Sequence, residues 1–188
     1  MIAPPLTLCG NQEMRLNICL AALAASVAVA SPAFAQSVTA SATAEARGLV
    51  LQPLTLTRVD DLDFGTVIAS AVAGNVTINE DTGARTVSGG VVGVPTAPGQ
   101  RGLFAGAGTA NQQVDLTLTP PAGGVLVSGA NFLTVSAFTM DGGVGLTDTR
   151  SIDATGAFTV GVGGTFDIAA SQPNGLYAAD FDLTAEYQ

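Results

Sequence analysis

The sequence predicts an all-β protein, an antiparallel β-sandwich or a barrel, and three observations carry that prediction. Glycine is frequent, threonine and valine are abundant, and lysine and methionine are scarce, a composition of strands and turns and not of helices. Apolar residues recur at every second position in candidate strands, and no window beyond the first 35 residues repeats them at i, i+3, i+4 and i+7. Turn-forming clusters return at a spacing of roughly 8–12 residues.

The first 35 residues stand apart. Met14 and Arg15 open a positively charged start, the run Leu16 to Ala30 is apolar, and Ala33-Phe34-Ala35 follows. This is the pattern of a secretory signal, residues 14–35, with cleavage expected before Gln36. The run of 15 residues is shorter than the roughly 20 that span a bilayer. Residues 1–13 resemble an upstream start-codon extension, so that Met1 and Met14 are both candidate starts. The remaining 153 residues include no cysteine, lysine or histidine, and carry five arginines against 14 acidic residues. That charge repels nucleic acid and anionic membranes. A chain of this length can fill one core without a disulfide.

The candidate strands follow in order. In "SVTASATAEA" Val38, Ala40, Ala42, Ala44 and Ala46 alternate with polar residues, so residues 36–51 read as an N-terminal extension or donor strand ahead of a domain at 52–188. "LVLQPLTLTRV" continues as a strand that Pro53 bends or places at an edge. "LDFGTVIA" reads as a short buried run. Asn75 to Val87 reads as a hairpin around "NEDTGA", with Gly83 supplying the residue of positive φ. "QQVDLTLT" directs Val114, Leu116 and Leu118 inward and ends at Pro120-Pro121. "GGVLVSG", "NFLTVSAFTM", "GAFTVGVGGTFDIAA" and the terminal stretch bring the expected number of strands to eight to ten. In that last stretch Tyr177, Ala179, Phe181, Leu183, Ala185 and Tyr187 alternate with mostly polar residues over eleven positions, the mark of a strand with one wet and one dry face.

Those terminal residues carry a resemblance. A penultimate Tyr187, an alternating apolar strand and Gly175 fourteenth from the end are similar to the ending of chaperone–usher pilus subunits. The stretches "LTLTRVDDLDFGTV", "GARTVSGGV", "FTV…GGTFDI" and "GLYAADFDLTAEYQ" resemble, over about residues 43–188, the bacterial domain-of-unknown-function family 4402, itself pilin-like. Ala179 and Ala185 depart from it, where the family usually carries Gly and Val. The resemblance implies an immunoglobulin-like sandwich completed by strand exchange, with a periplasmic chaperone, an outer-membrane usher and other pilin-like subunits as partners. Its implied site is a terminal zipper strand of Gly175, Tyr177, Phe181, Leu183, Ala185 and Tyr187. Val38, Ala40, Ala42, Ala44 and Ala46 are the expected knobs of the partner strand.

Chemistry is narrowly bounded. Without His, Cys or Lys after residue 35, triads, thiol sites, Schiff bases and zinc centres built on them are excluded. Asp60, Asp61 and Asp63 form the densest acidic cluster, read as a solvated edge or a turn. Asp60-x-x-Asp63 and Glu80-Asp81 offer oxygen ligands for calcium but no D-x-D-x-D-G loop. "GLFAGAG" lacks the strand–loop–helix setting of a phosphate loop. Paired carboxylates of a glycosidase remain conceivable, yet Trp is absent and Tyr177 and Tyr187 are the only tyrosines. The expectation is therefore no enzyme, no cofactor and no metal. Two functions compete: an exported structural subunit of a surface fibre, passing through the periplasm, and a monomeric β-sandwich adhesin or binding module at the cell surface or in the periplasm.

Overall fold

A computed structural model describes residues 39–143 and 145–188. The expected signal, the extension before it and Val38 lie outside these residues. The chain falls into two compact units, residues 1–46 and 47–188. In the first, residues 39–46 are exposed and form no strand. Alternating alanines bury too little surface to hold a strand by themselves, and a strand needs a neighbour's hydrogen bonds.

Among its described residues the second unit holds twelve strands and one 3₁₀ turn, Ala122–Gly124. In chain order they are β1 (Thr55–Asp60), β2 (Val67–Ile68), β3 (Gly74–Ile78), β4 (Arg85–Val87), β5 (Val92–Gly93) and β6 (Gly102–Ala107). Then come β7 (Gln113–Thr119), β8 (Val125–Ser128), β9 (Asn131–Met140), β10 (Thr147–Ser151), β11 (Ala157–Ile168) and β12 (Asp182–Tyr187). All pairings are antiparallel. The protein is an all-β antiparallel sandwich.

The larger sheet runs β1-β6-β11-β3-β4. Its axis is β11, which pairs β6 through Ala157–Val162 and β3 through Gly164–Ile168, with β9 on the opposite edge and β8 outside β9. The smaller sheet is β10-β7-β12. Between them Val114, Leu116 and Leu118 of β7 meet Phe138 and Met140 of β9 and Phe158, Val160 and Val162 of β11. All three β7 residues are at most 1% exposed, as the alternation predicts. A second cluster, Val76, Val91, Leu126, Leu133, Phe166 and Ile168, lies over the other half of the large sheet.

Some expectations hold and others are corrected. Asn79 to Ala84 turns β3 into β4, and Gly83 has φ 71°. Strand β1 begins just after Pro53 and lies at a sheet edge, as a proline-led strand must. "LDFGTVIA" is not a buried run: it yields an isolated bridge at Asp63 and the two-residue β2, and its apolar side chains are half-buried or exposed. "GLFAGA" is the strand β6, between β1 and β11. The terminal strand is shorter than eleven residues. Ala178 bridges Val127 of β8 on one sheet, and the chain then crosses over to pair β7 from Asp182 on. The inward period survives that crossing at Tyr177, Phe181, Leu183, Ala185 and Tyr187, whereas Ala179 is exposed.

Candidate functional site

β1 and β12 are the outer strands of the two sheets. Each is paired along one edge, β1 to β6 and β12 to β7, and among the described residues nothing pairs with the other edge. The chain continues each of them, past β1 to Ser70 and back from β12 to Ser171, so two lips face one another along the sandwich. At one end the Tyr187 hydroxyl donates to the Gln52 carbonyl at 2.8 Å. At the other the Ser171 N–H donates to the Ser70 carbonyl at 2.7 Å. Among the described residues, no hydrogen bond crosses between these two points.

The side chains tell the same story. Leu54, Leu56, Leu62, Phe64, Val67 and Ala69 point inward from one lip, and Tyr177, Phe181, Leu183, Ala185 and Tyr187 from the other. All are half-buried. None of the sixteen buried core hydrophobics comes from either lip, although the alternation of both is that of core strands. The lips are held by aromatic contacts at their base: Phe181 meets Phe138 edge-on at 5.3 Å and Phe104 at 6.0 Å, and Phe64 meets Phe166 at 4.6 Å. Two cavities of about 400 and 410 Å³ open where residues 62–69 face residues 172–181. "LDFG" and "GLY", far apart in sequence, thus line the same space, with Gly175 on its rim. The arrangement is an apolar slot between two strand edges that have no partner among the described residues. A carboxylate lines it only at Asp63, whose Oδ1 already accepts the Gly65 N–H at 2.7 Å.

Arg85 fixes the lip that carries "LDFG". Its Nη1 donates to the carbonyls of Phe64 (3.3 Å), Thr66 (3.0 Å) and Ala97 (2.8 Å), and its Nη2 to that of Val94 (2.9 Å). Three of these carbonyls also accept a backbone N–H, Thr66 from Val94, Val94 from Ala97 and Ala97 from Thr66, so the guanidinium reinforces bonds that the backbone has begun. Gly65 has φ 72°, and a Cβ there would stand 2.5 Å from Arg85 Nη1 and 2.2 Å from the Ala97 oxygen, so only glycine fits. Neither the Arg85 cage nor the role of Leu54, Leu56, Leu62 and Phe64 as the second lip was read from the sequence. The even spacing of those four residues was the available signal.

Two of the acidic candidates outside the slot are engaged elsewhere. Asp61 pairs with Arg58 at 2.7 Å on the surface, and Glu80 Oε2 accepts the Thr139 hydroxyl at 3.0 Å. Among the described residues no group of three or more His, Cys, Asp or Glu stands close enough to hold a metal. Two groups outside the slot have shifted pKa values. For Arg150 burial opposes the charge, but Asp148 at 2.8 Å and Asp141 at 3.1 Å outweigh it and hold the guanidinium above its ordinary value. Asp153 is held below the usual carboxylate value by the Thr155 hydroxyl and by the backbone N–H groups of Ala157 and Thr155. A further cavity, about 670 Å³, is an open depression near Asn75, Phe132 and Asp167. Of the expected partner-strand knobs, Ala40, Ala42, Ala44 and Ala46 are exposed.

Comparison with curated proteins returns no match, and comparison with solved structures returns none either. One family model does match, over residues 54–187, from the first inward leucine of one lip to Tyr187 of the other. The chain belongs to that family, described as a domain of unknown function, DUF4402.

Proposed function

We propose that the protein is a non-enzymatic, pilin-like structural subunit of a surface fibre, assembling by donor-strand complementation. The observation that supports this is the slot: two apolar lips, tied at both ends and nowhere between, with no fully buried residue on either. An added strand gains its affinity from the two free ladders and its register from side chains entering at alternate positions. Such edges left open invite aggregation. The segment 37–51 of a neighbouring copy, with Val38, Ala40, Ala42, Ala44 and Ala46 as knobs, fits that need. Export through the periplasm, with a chaperone strand holding the slot until an outer-membrane usher exchanges it, is part of the same proposal.

Trypsin tests it. Residues 36–188 contain no lysine, and Arg47 is an exposed arginine within the donated segment. In isolated subunits trypsin should cut after Arg47 and release the knobs. In multimers that bond lies in a neighbour's slot and should survive, as intact mass will report. Ala42→Asp should abolish the multimers by putting an unpaired charge into an apolar slot, at a cost of several kcal/mol. A protein that stays monomeric at high concentration and loses residues before Gly48 without consequence is a self-contained adhesin or binding module instead.

A further inference from the structure

A sandwich has two sides along which its sheets can part, and a strand could add at either. The slot between β1 and β12 lies on one. On the other, β10 is the outer strand of the small sheet, paired only with β7. Nearby, β11 pairs β6 along one edge from Ala157, whereas β9 joins its other edge only from Val162 on. Residues 157–161 of β11 therefore present an edge that no strand covers among the described residues. Alternate carbonyls of a strand point to the same edge, and here all three are taken. The Ala157 carbonyl accepts the Asp153 N–H and the Gly161 carbonyl the Asp141 N–H, both at 3.0 Å. Midway between them, the Thr159 carbonyl accepts Arg150 Nη1 at 2.6 Å. Turns close the two ends of this edge, and a side chain from β10 closes the middle.

Asp148 and Arg150 stand opposite Leu116 and Val114 in the ladder, so both point inward at the rim of the core. Arg150 Nη2 donates to Asp148 Oδ2 at 2.8 Å, to Asp141 Oδ1 at 3.1 Å and to the Asp141 carbonyl. One guanidinium thus joins β10, the turn after β9, and β11. The side chains of Arg150, Asp141 and Asp148 are 20%, 22% and 16% exposed. A strand seated here would strip three partly buried charges of their partners and set apolar side chains against them, which is costly. The cavities of the slot, in contrast, are lined by one charged side chain, Asp63. We propose that the Arg150 clasp, with Asp141 and Asp148, closes the β10 side of the sandwich to strand addition, so that each subunit takes one strand from a second copy and fibres grow unbranched. This rests on the strand-exchange reading above and adds which edge is barred from exchange.

Amide hydrogen exchange in the full exported protein, compared between monomers and multimers, locates each seated strand. In the unaltered protein, exchange should slow on assembly along Thr55–Asp60 and Asp182–Tyr187 and stay unchanged along Thr147–Ser151. Two variants then remove the clasp, each with Asp141→Asn so that no carboxylate is left without its partner. Asp148→Asn with Arg150→Gln removes the charges and adds no apolar surface. Asp148→Val with Arg150→Val makes the edge apolar, a replacement that folded proteins often tolerate at buried ion pairs. In both, exchange along Thr147–Ser151 should slow on assembly by at least about tenfold, equivalent to about 1.4 kcal/mol of protection. Slowing there in the unaltered protein overturns the inference and leaves strand exchange standing. Unchanged exchange there in both variants also overturns it, and so does slowing in the valine variant alone, which would trace entry to added apolar surface. A protein that forms no multimers, or multimers with no slowing along either lip, removes the strand-exchange reading and this inference with it.

Discussion

Arg85 holds four carbonyls, from residues 64, 66, 94 and 97, and so ties the "LDFG" lip to the turn after β5. The planar fork suits that task, because its donors leave in fixed directions and reach separate acceptors at once. Arg85→Met should lower stability by about 1.5–3 kcal/mol in urea unfolding, since hydrogen bonds to a charged group count for more than neutral ones, while the carbonyls of Thr66, Val94 and Ala97 each keep a backbone N–H. Arg85→Lys should recover less than half of that, because a single ammonium cannot span the set. Full recovery by lysine would mean that charge alone matters here and the fork does not. Tyr187 is the matching case on the other lip. Tyr187→Phe keeps the ring and removes only the hydroxyl between Thr109 and Gln52, so a loss of about 1–2 kcal/mol is expected. Nothing in the sequence marks Arg85 or Thr109 as special. Each acts on residues distant along the chain, and side-chain bonds to far-off backbone leave no periodic trace.

The connection between β10 and β11 shows how an element's turn carries a pH dependence. Asp153 Oδ1 accepts from the N–H groups of Thr155 and Ala157 and from the Thr155 hydroxyl, all bonds that favour the ionised form. A carboxylate whose pKa is lowered on folding contributes stability above its unfolded value, and that contribution disappears as pH falls through the folded value. Asp153→Asn should therefore be less stable than the original near neutral pH, with the gap closing below about pH 4. A gap independent of pH would place the effect in geometry and not in charge. Most elements were legible because they obey one period: β7 and the β3–β4 hairpin stand where alternation and Gly83 put them. The polar β10, Thr147–Ser151, was missed because its pairing with β7 is by backbone and its exposed face carries no apolar signal. The terminal stretch was read as one strand because its inward period resumes in phase at Phe181 after the exposed Ala179. The change at Ala178 to Asp182 is of hydrogen-bonding partner, from β8 to β7, and a hydrophobic pattern is blind to partners.

At the scale of the molecule, the half-buried state of both lips makes stability a function of occupancy. Whatever binds the folded state and not the unfolded one raises stability by mass action, about 2.7 kcal/mol when the ligand stands at a hundred times its dissociation constant. The natural ligand under the proposed function is a peptide of residues 37–51. Its five knobs are small, and at about 25 cal/mol per Å² their burial supplies only a few kcal/mol. The remainder must come from the ladders along β1 and β12 and from the lip residues that the peptide covers. A protein of residues 52–188 retains all twelve strands and both lips, so it can be tested with the slot vacant and then filled. For a domain of this size, 2.7 kcal/mol corresponds to a rise in Tm of roughly 10 °C. The same peptide carrying Ala42→Asp should give almost none, because desolvating an unpaired carboxylate cancels a gain of that size. Equal shifts with both peptides would reveal nonspecific edge pairing, whereas no shift with either, at concentrations that saturate comparable strand-addition sites, would mean that the slot takes something other than this chain's own arm.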